Sequence, residues 1–184
     1  RKDLQKMLKK AKDAGNAAEI EYWDKRQLVK KINLNSLYGA ILNPGCRFFD
    51  KRIGQSTTLT GRTIVKHMSA EVNNVITGTY DHVGEAMIYG DTDSCYFSAW
   101  PILKDDVNSG KLEWNIDKCI TLMDQVCEQA NTTFPEFMLK AFHCPKSRSD
   151  VIAAGREIVA QSGLYITKKR YAALVVDNEG FRTD

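Results

Sequence analysis

Apolar positions recur at helical spacing at the start of the chain, where Leu4, Met7, Leu8 and Ala11 are set among lysines and the pattern stops at Gly15-Asn16. This spacing predicts a helix and its C-terminal stop. A second helix is expected from Ala17 to Leu42, closed by Asn43-Pro44-Gly45, so that the two form a helical hairpin. Between Thr58 and Ile76 the residues Leu59, Ile64, Val65, Met68, Val72 and Ile76 keep the helical period, and Gly78 ends it. The period then changes. Residues 86–89 (Ala-Met-Ile-Tyr) and 95–97 (Cys-Tyr-Phe) are short strand-like runs flanking Gly90-Asp91-Thr92-Asp93-Ser94, which places acidic residues at a hairpin tip. Trp114 to Asn131 is again helical in pattern, and residues 151–154, 158–160, 164–167 and 171–176 are expected as strands. The fold class that follows is α+β, an antiparallel sheet backed by helices, with residues 1–45 as a helical projection and 46–184 as the main domain.

The 184 residues are 43% hydrophobic, enough for one core with an appendage. A net charge of +3 does not by itself point to nucleic acid, but its placement matters: residues 1–31 hold ten Lys/Arg against five acidic residues, so the positive field sits at one end. Five cysteines, Cys46, Cys95, Cys119, Cys127 and Cys144, are odd in number and form no Cys-x-x-Cys pair. That argues against a disulfide framework and a zinc site, and for a reducing intracellular setting. No apolar run approaches the roughly 18 residues that span a bilayer, and no leader opens the chain, so no membrane partner is expected. The chain begins at Arg1 rather than Met and stops just after the turn Asp177-Asn178-Glu179-Gly180, which suggests a cut at both ends.

Asp91 and Asp93 stand two apart in an extended or tight-turn segment, and the period of two in such a segment points both carboxylates to one side. Two carboxylates on one edge suit Mg²⁺, which takes one or two protein carboxylates plus substrate phosphates. Phosphoryl transfer uses such an arrangement, with cations about 4 Å apart stabilising the attacking and leaving oxygens. The alternative is plain turn chemistry, since Asp and Ser favour turns without any metal. A calcium loop fails: counting from Asp91 puts Tyr96 where a glycine is needed and Ile102 where a glutamate is needed. The flanking apolar strands bring the acids to the edge of a core, where unpaired charge is costly without a cation.

On the second helix, Gln27, Lys31, Asn35 and Tyr38 fall within one stripe about 80° wide. Leu28 and Ile32 flank it on one side and Leu34 and Ile41 on the other, which predicts a polar seam facing a groove rather than a solvated face. A lysine there can neutralise triphosphate oxygens, Tyr38 can pack on a base pair, and Gly39 permits close backbone approach. A helix packed on a neighbour, with Tyr38 half-buried, fits the same pattern. Further on, Lys168-Lys169-Arg170-Tyr171 places three cations beside an aromatic residue between strand-like runs, which suits a phosphate backbone and equally an ordinary charged turn.

Taken together and in this order, the three segments resemble family B DNA polymerases, above all the replicative enzymes of large tailed phages. Lys31 to Gly39 matches the fingers motif Lys-x-x-x-Asn-Ser-x-Tyr-Gly, Tyr89 to Ser94 matches the palm motif Tyr-Gly-Asp-Thr-Asp-Ser, and Lys168 to Tyr171 matches the motif that grips the primer between palm and thumb. The resemblance covers essentially the whole chain. It implies a palm sheet with a helical fingers hairpin, and a template-directed DNA polymerase that joins a deoxynucleotide to a primer 3′-hydroxyl with two magnesium ions. It further implies that Lys31 and Arg1 bind the incoming triphosphate, that Asn35 and Tyr38 line the nascent base-pair pocket with Gly39 against DNA, and that Asp93 is a direct metal ligand with Asp91 in support. Lys168, Lys169, Arg170 and Tyr171 would hold the primer strand, and Glu157 would lie near the metals.

The chain departs from the family pattern in two places. Relatives carry a lysine four residues after the arginine on the first fingers helix, where this chain has Gln5. Nothing in the chain resembles the family's Asp-x-x-Ser-Leu-Tyr-Pro-Ser motif, whose aspartate is the other metal ligand, so the chain by itself is expected to be inactive. The expected partners are primer–template DNA, a dNTP, and the rest of the polymerase or a complementary subunit, in the cytoplasm of a phage-infected bacterium. A split polymerase and a non-catalytic nucleic-acid-binding module remain open.

Overall fold

The computed structural model describes residues 2–183, without the side chains of Lys2 and Asp150. The chain forms two compact units, residues 1–60 and 61–184. In the first, α1 (Lys2–Asp13) packs against α2 (Ala17–Leu42). Gly15 at φ +65° makes the reversal, and Asn16 caps α2 by accepting the Glu19 N–H at 3.3 Å. α1 rises only about 18 Å against about 39 Å for α2, so it reaches the first half of its neighbour. Consequently α2 buries no residue fully, and Leu28, Ile32, Leu34 and Leu37 are all exposed. At its C-terminal end the chain turns back, the Asp50 N–H donating to the Ile41 carbonyl at 3.0 Å, and α3 (Lys51–Thr77) begins. Gly54 leaves room there for the Leu42 side chain, since a Cβ would lie 2.0 Å from Leu42 Cδ2.

The second unit is α+β. A two-stranded antiparallel sheet, β1 (Met87–Asp91) and β2 (Ser94–Phe97), lies beside the core, followed by α4 (Trp100–Asn108) and the long α5 (Ile116–Phe142). A 3-10 turn (Lys146–Val151) leads to a separate three-stranded antiparallel sheet, β3 (Ile158–Thr167), β4 (Arg170–Asn178) and β5 (Phe181–Arg182). The strands thus form two sheets where one was expected. Val72, Ile76, Ala86, Ala99, Val126 and Ala130 make the core, with Phe97, Leu122 and Met123 packed against it.

Several elements differ from the sequence expectation for identifiable reasons. Residues 151–154 are not a strand: the Asn131 side chain donates to the Ala154 carbonyl at 3.0 Å and accepts its N–H at 2.7 Å, giving that backbone both partners a sheet would supply. Residues 158–160 and 164–167 belong to one strand whose pairing shifts register between them. α5 runs past Asn131 through Pro135, although proline removes the bond to the Asn131 carbonyl. Burial of Phe134 and Met138, one on either side of Pro135, holds the helix together across that gap.

Two buried polar residues tie the second unit together. His67 stacks on Phe137 with ring centroids 3.8 Å apart, and its nitrogens meet Tyr80 Oη at 2.8 Å and Thr133 Oγ1 at 3.0 Å. Burial pushes its imidazole below the ordinary histidine value, with Glu71 opposing in part, which favours the neutral ring that can donate at one nitrogen and accept at the other. Asn73, 1% exposed, donates to Thr77 Oγ1 and the Thr79 carbonyl and accepts the Ala86 N–H at 3.0 Å. Gly84 makes room for it, since a Cβ there would stand 2.2 Å from Asn73 Nδ2. Asn73→Ala leaves the buried Ala86 N–H without an acceptor, so urea unfolding followed by circular dichroism should show a loss of about 1–3 kcal/mol. An unchanged midpoint would show that the loop before β1 is held by other means.

Candidate nucleic-acid and metal site

Each of the two sheets presents a hairpin with a two-residue tip. In β1–β2, Asp91 pairs with Ser94 and the tip is Thr92-Asp93, with Thr92 at φ +52° and the Asp93 N–H directed at the Asp91 carbonyl, 2.6 Å away. In β3–β4, Thr167 pairs with Arg170 and the tip is Lys168-Lys169, with Lys169 at φ +63°. A positive φ at a residue with a Cβ costs free energy on the order of 1 kcal/mol or more and persists only where the surroundings hold it.

Each hairpin carries a cross-strand tyrosine pair just below its tip, Tyr89 with Tyr96 and Tyr165 with Tyr171. The four rings form one cluster in which the closest centroids, Tyr96 and Tyr171, are 5.3 Å apart and the farthest, Tyr89 and Tyr165, 5.8 Å. Such spacings are those of attractive offset and edge-to-face contacts. Tyr96 and Tyr171 share a hydrogen bond between hydroxyls at 2.8 Å, and Tyr89 Oη accepts the Lys169 N–H at 2.8 Å. The bond to Tyr171, then burial, push the Tyr96 hydroxyl well above its ordinary value, so it stays protonated. Burial, with Tyr171 adding to it, raises Tyr165 as well.

The basic tip is thereby set over the acidic one. Lys168 Nζ and Lys169 Nζ lie 3.8 and 3.9 Å from the Asp91 carboxylate, too far for hydrogen bonds but within ion-pair range. Both lysines are largely exposed, so the attraction is worth little in stability and is screened by salt. Thr92 Oγ1 also donates to Asp91 Oδ1 at 3.2 Å. A pocket of about 310 Å³ is lined by both aspartates, Tyr89, Tyr96, Lys169 and Tyr171 among others. The two carboxylates therefore line one cavity, Asp91 from the end of β1 and Asp93 from the turn that follows it.

The donor chemistry of this pocket suits a hard cation. Asp93 has no ion-pair partner among the described residues and is exposed, whereas Asp91 is engaged by a hydroxyl and two ammonium groups. Two carboxylates meet what Mg²⁺ asks of a protein, the remaining positions going to water and phosphate oxygens. Among the described residues no group of three His, Cys, Asp or Glu side chains is placed to hold a metal without further ligands.

A second cavity of about 780 Å³ shares Thr92, Asp93, Ser94 and Tyr96 with the first, and Glu157 lines it. Glu157 directly follows Arg156, whose guanidinium spans two elements, with Nε 2.5 Å from Asp124 of α5 and a terminal nitrogen 2.5 Å from Asp177 of β4. The Glu157 carbonyl also accepts the Glu179 N–H. Burial acts to raise the Asp177 carboxyl, but the Arg156 bond and the Gly180 N–H outweigh it and hold the group below its ordinary value.

The remaining expected site residues lie in the first unit, apart from Arg1, which is outside the described residues. Lys31 and Asn35 are exposed on α2, and Tyr38 is half-buried with its hydroxyl 3.5 Å from the Gly54 carbonyl. Gly39 has open space where a Cβ would stand. Of the apolar flanks of this stripe, Leu28, Ile32 and Leu34 are exposed and Ile41 is half-buried, so within its own unit most of the stripe is not enclosed in a groove. Tyr96 and Tyr165 had no assigned role from sequence. The signal available was an aromatic residue on either side of both turns.

Residues 1–107 match the model of DNA polymerase family B. The chain is 29% identical over 166 residues to the DNA-directed DNA polymerase of Escherichia phage RB69, covering 85% of this chain and 18% of that protein. It is 27% identical over 177 residues to that of Enterobacteria phage T4, with the same coverage of 85% and 18%. It is also 28% identical over 169 residues to the DNA polymerase alpha catalytic subunit of Arabidopsis thaliana, covering 91% of this chain and 9% of the relative. No solved structure matches significantly.

The Arg156 bridge predicts a pH dependence. Because the folded-state value of Asp177 is depressed below 3.8, its contribution is present above that pH and lost as pH falls through the lower folded value. Asp177→Asn should cost roughly 2 kcal/mol at pH 7, less than the removal of a sole partner because Arg156 keeps Asp124. Urea unfolding should show that cost shrinking below pH 3.8; a cost that stays constant with pH would remove the charge from the explanation.

Proposed function

The chain belongs to DNA polymerase family B, and on that premise we propose that it carries part of the active site of a template-directed DNA polymerase, with residues 1–45 as the fingers hairpin and 46–184 as the palm. The single observation that supports this best is the pocket in which Asp91 and Asp93 meet Lys169 and Tyr171. A carboxylate pair suited to magnesium, beside cations suited to a phosphate backbone, is what joining a nucleotide to a DNA strand requires.

In this reading the primer 3′-hydroxyl oxygen bonds to the α-phosphorus of a dNTP, the bond to the bridging oxygen breaks, and pyrophosphate leaves with its electron pair while the hydroxyl proton passes to solvent. Magnesium, when bound, supplies charge that lowers the hydroxyl pKa and offsets negative charge on the phosphoryl oxygens. Asp93 is its direct ligand and Asp91 the supporting carboxylate, with Glu157 at the edge of the same space. Another part of the polymerase, or a complementary subunit, provides the further carboxylate. Lys168, Lys169 and Arg170 bind primer-strand phosphates without reading sequence, and Tyr171 keeps their turn in place. On α2, Lys31 neutralises triphosphate oxygens, Arg1 assists, Asn35 and Tyr38 line the nascent pair, and the open space at Gly39 admits DNA backbone. The setting is the cytoplasm of a phage-infected bacterium; no described helix is long and apolar enough to cross a membrane.

In the polymerase containing this chain, Asp93→Ala should lower primer extension by on the order of a thousandfold or more, the loss of several kcal/mol of transition-state stabilisation. Duplex affinity should stay within about twofold. Retained extension would remove Asp93 from the metal site. Lys169→Gln should instead weaken duplex binding and flatten the slope of log affinity against log salt by about 0.9, the signature of one phosphate contact; an unchanged slope would remove Lys169 from the DNA contact.

A further inference from the structure

The lysine turn is short, carries a strained residue at its tip and is held to the acidic turn mainly through aromatic rings. Lys169 keeps φ +63° with its N–H on Tyr89 Oη, so the place of the turn depends on where the Tyr89 ring stands. That ring is confined by Tyr96, Tyr165 and Tyr171 together, at centroid distances of 5.7, 5.8 and 5.7 Å. Tyr96 adds the one hydroxyl bond that crosses between hairpins inside the cluster. Tyr165 has a different anchor. Its ring leans back over Gly163, where a Cβ would lie 2.8 Å from ring atom Cε2 and 3.3 Å from its hydroxyl oxygen. Only a residue without a side chain leaves that seat open. Gly163 has no positive φ, so space and not backbone conformation is what it provides.

We propose that Tyr96, and Tyr165 seated on Gly163, are positioning residues that fix the Lys169 turn relative to the Asp91 carboxylate. Tyr96 acts through its hydroxyl on Tyr171, and Tyr165 acts as a wedge that keeps Tyr89 under the Lys169 amide. Neither touches DNA or metal in this role. The consequence for DNA binding rests on the polymerase reading; the positioning itself does not.

The test uses the 184-residue chain and the variants Tyr96→Phe and Gly163→Ala, which keep every ring and leave the helices untouched. Amide hydrogen exchange is read by NMR at Lys169 and, as an internal reference, at Ala130 in α5. Both variants should speed Lys169 exchange by about fivefold, the effect of loosening one hydrogen bond, with Ala130 unchanged. Anisotropy titrations of a labelled primer–template duplex at several salt concentrations should give a slope shallower by about 0.9 than that of the unaltered chain. Unchanged Lys169 exchange in both variants overturns the proposal, and so does equal acceleration at Ala130, which would mark general loosening. If Lys169 exchange responds as expected while the unaltered chain binds no duplex, the positioning stands and the polymerase reading fails.

Discussion

The packing of four tyrosine rings between two hairpins is the contact on which the arrangement of charge in the second unit depends. A two-stranded hairpin is at best marginally stable in water by itself, and the tip of β3–β4 carries Lys168 and Lys169 with Arg170 beside them. Those cations and Asp91 attract one another, yet at 3.8 to 3.9 Å with exposed lysines the attraction is too weak to order the turns. The aromatic surface orders them, and the charges then stand where the rings leave them. Residues 75 and 80 positions apart are thereby hydrogen-bonded.

Elsewhere in the unit, buried and half-buried polar side chains play the part that sheet ladders play in larger domains. Asn73 satisfies the backbone ahead of β1, Asn131 satisfies that of Ala154, and Arg156 joins α5 to β4. Among the described residues no buried side-chain nitrogen or oxygen lacks a partner, which is the condition under which buried polarity is tolerated. The Asn131 and Arg156 contacts hold the stretch that ends at Glu157, so the rim of the larger cavity is placed by polar ties rather than by regular strand. The first unit shows the opposite balance. Its long helix exposes several leucines and Ile32 around a polar stripe, and local capping and turn bonds join it to its neighbours in the chain.

Much of the local structure could be read directly from residue order. The span Ala17–Leu42 was expected as a helix and forms one over that range, because the stops at Gly15-Asn16 and Asn43-Pro44-Gly45 on either side are local signals. The acidic hairpin was also legible, as turn residues between two apolar runs. The expectation failed where distant groups decided the outcome. The stretch 151–154 is apolar enough for a strand, but Ala154 at its end finds its backbone hydrogen bonds on Asn131, 23 residues away. α5 continues through Pro135 because Phe134 and Met138 are buried by the rest of the fold, which no local rule weighs.

The candidate site divides along the same line. The sequence by itself determined the chemistry, namely two aspartates in a turn, three cations in another, and a polar stripe on a helix, because side-chain type and short-range spacing carry that information. Only the tertiary structure decided that the two turns share one pocket, that Asp91 faces lysines while Asp93 has no ion-pair partner among the described residues, and that the rings of Tyr96 and Tyr165 meet beneath it. The physical reason is that these juxtapositions arise from ring packing and hydrogen bonds between residues some 70 to 80 positions apart. The energy of such contacts appears only once both hairpins have formed and met.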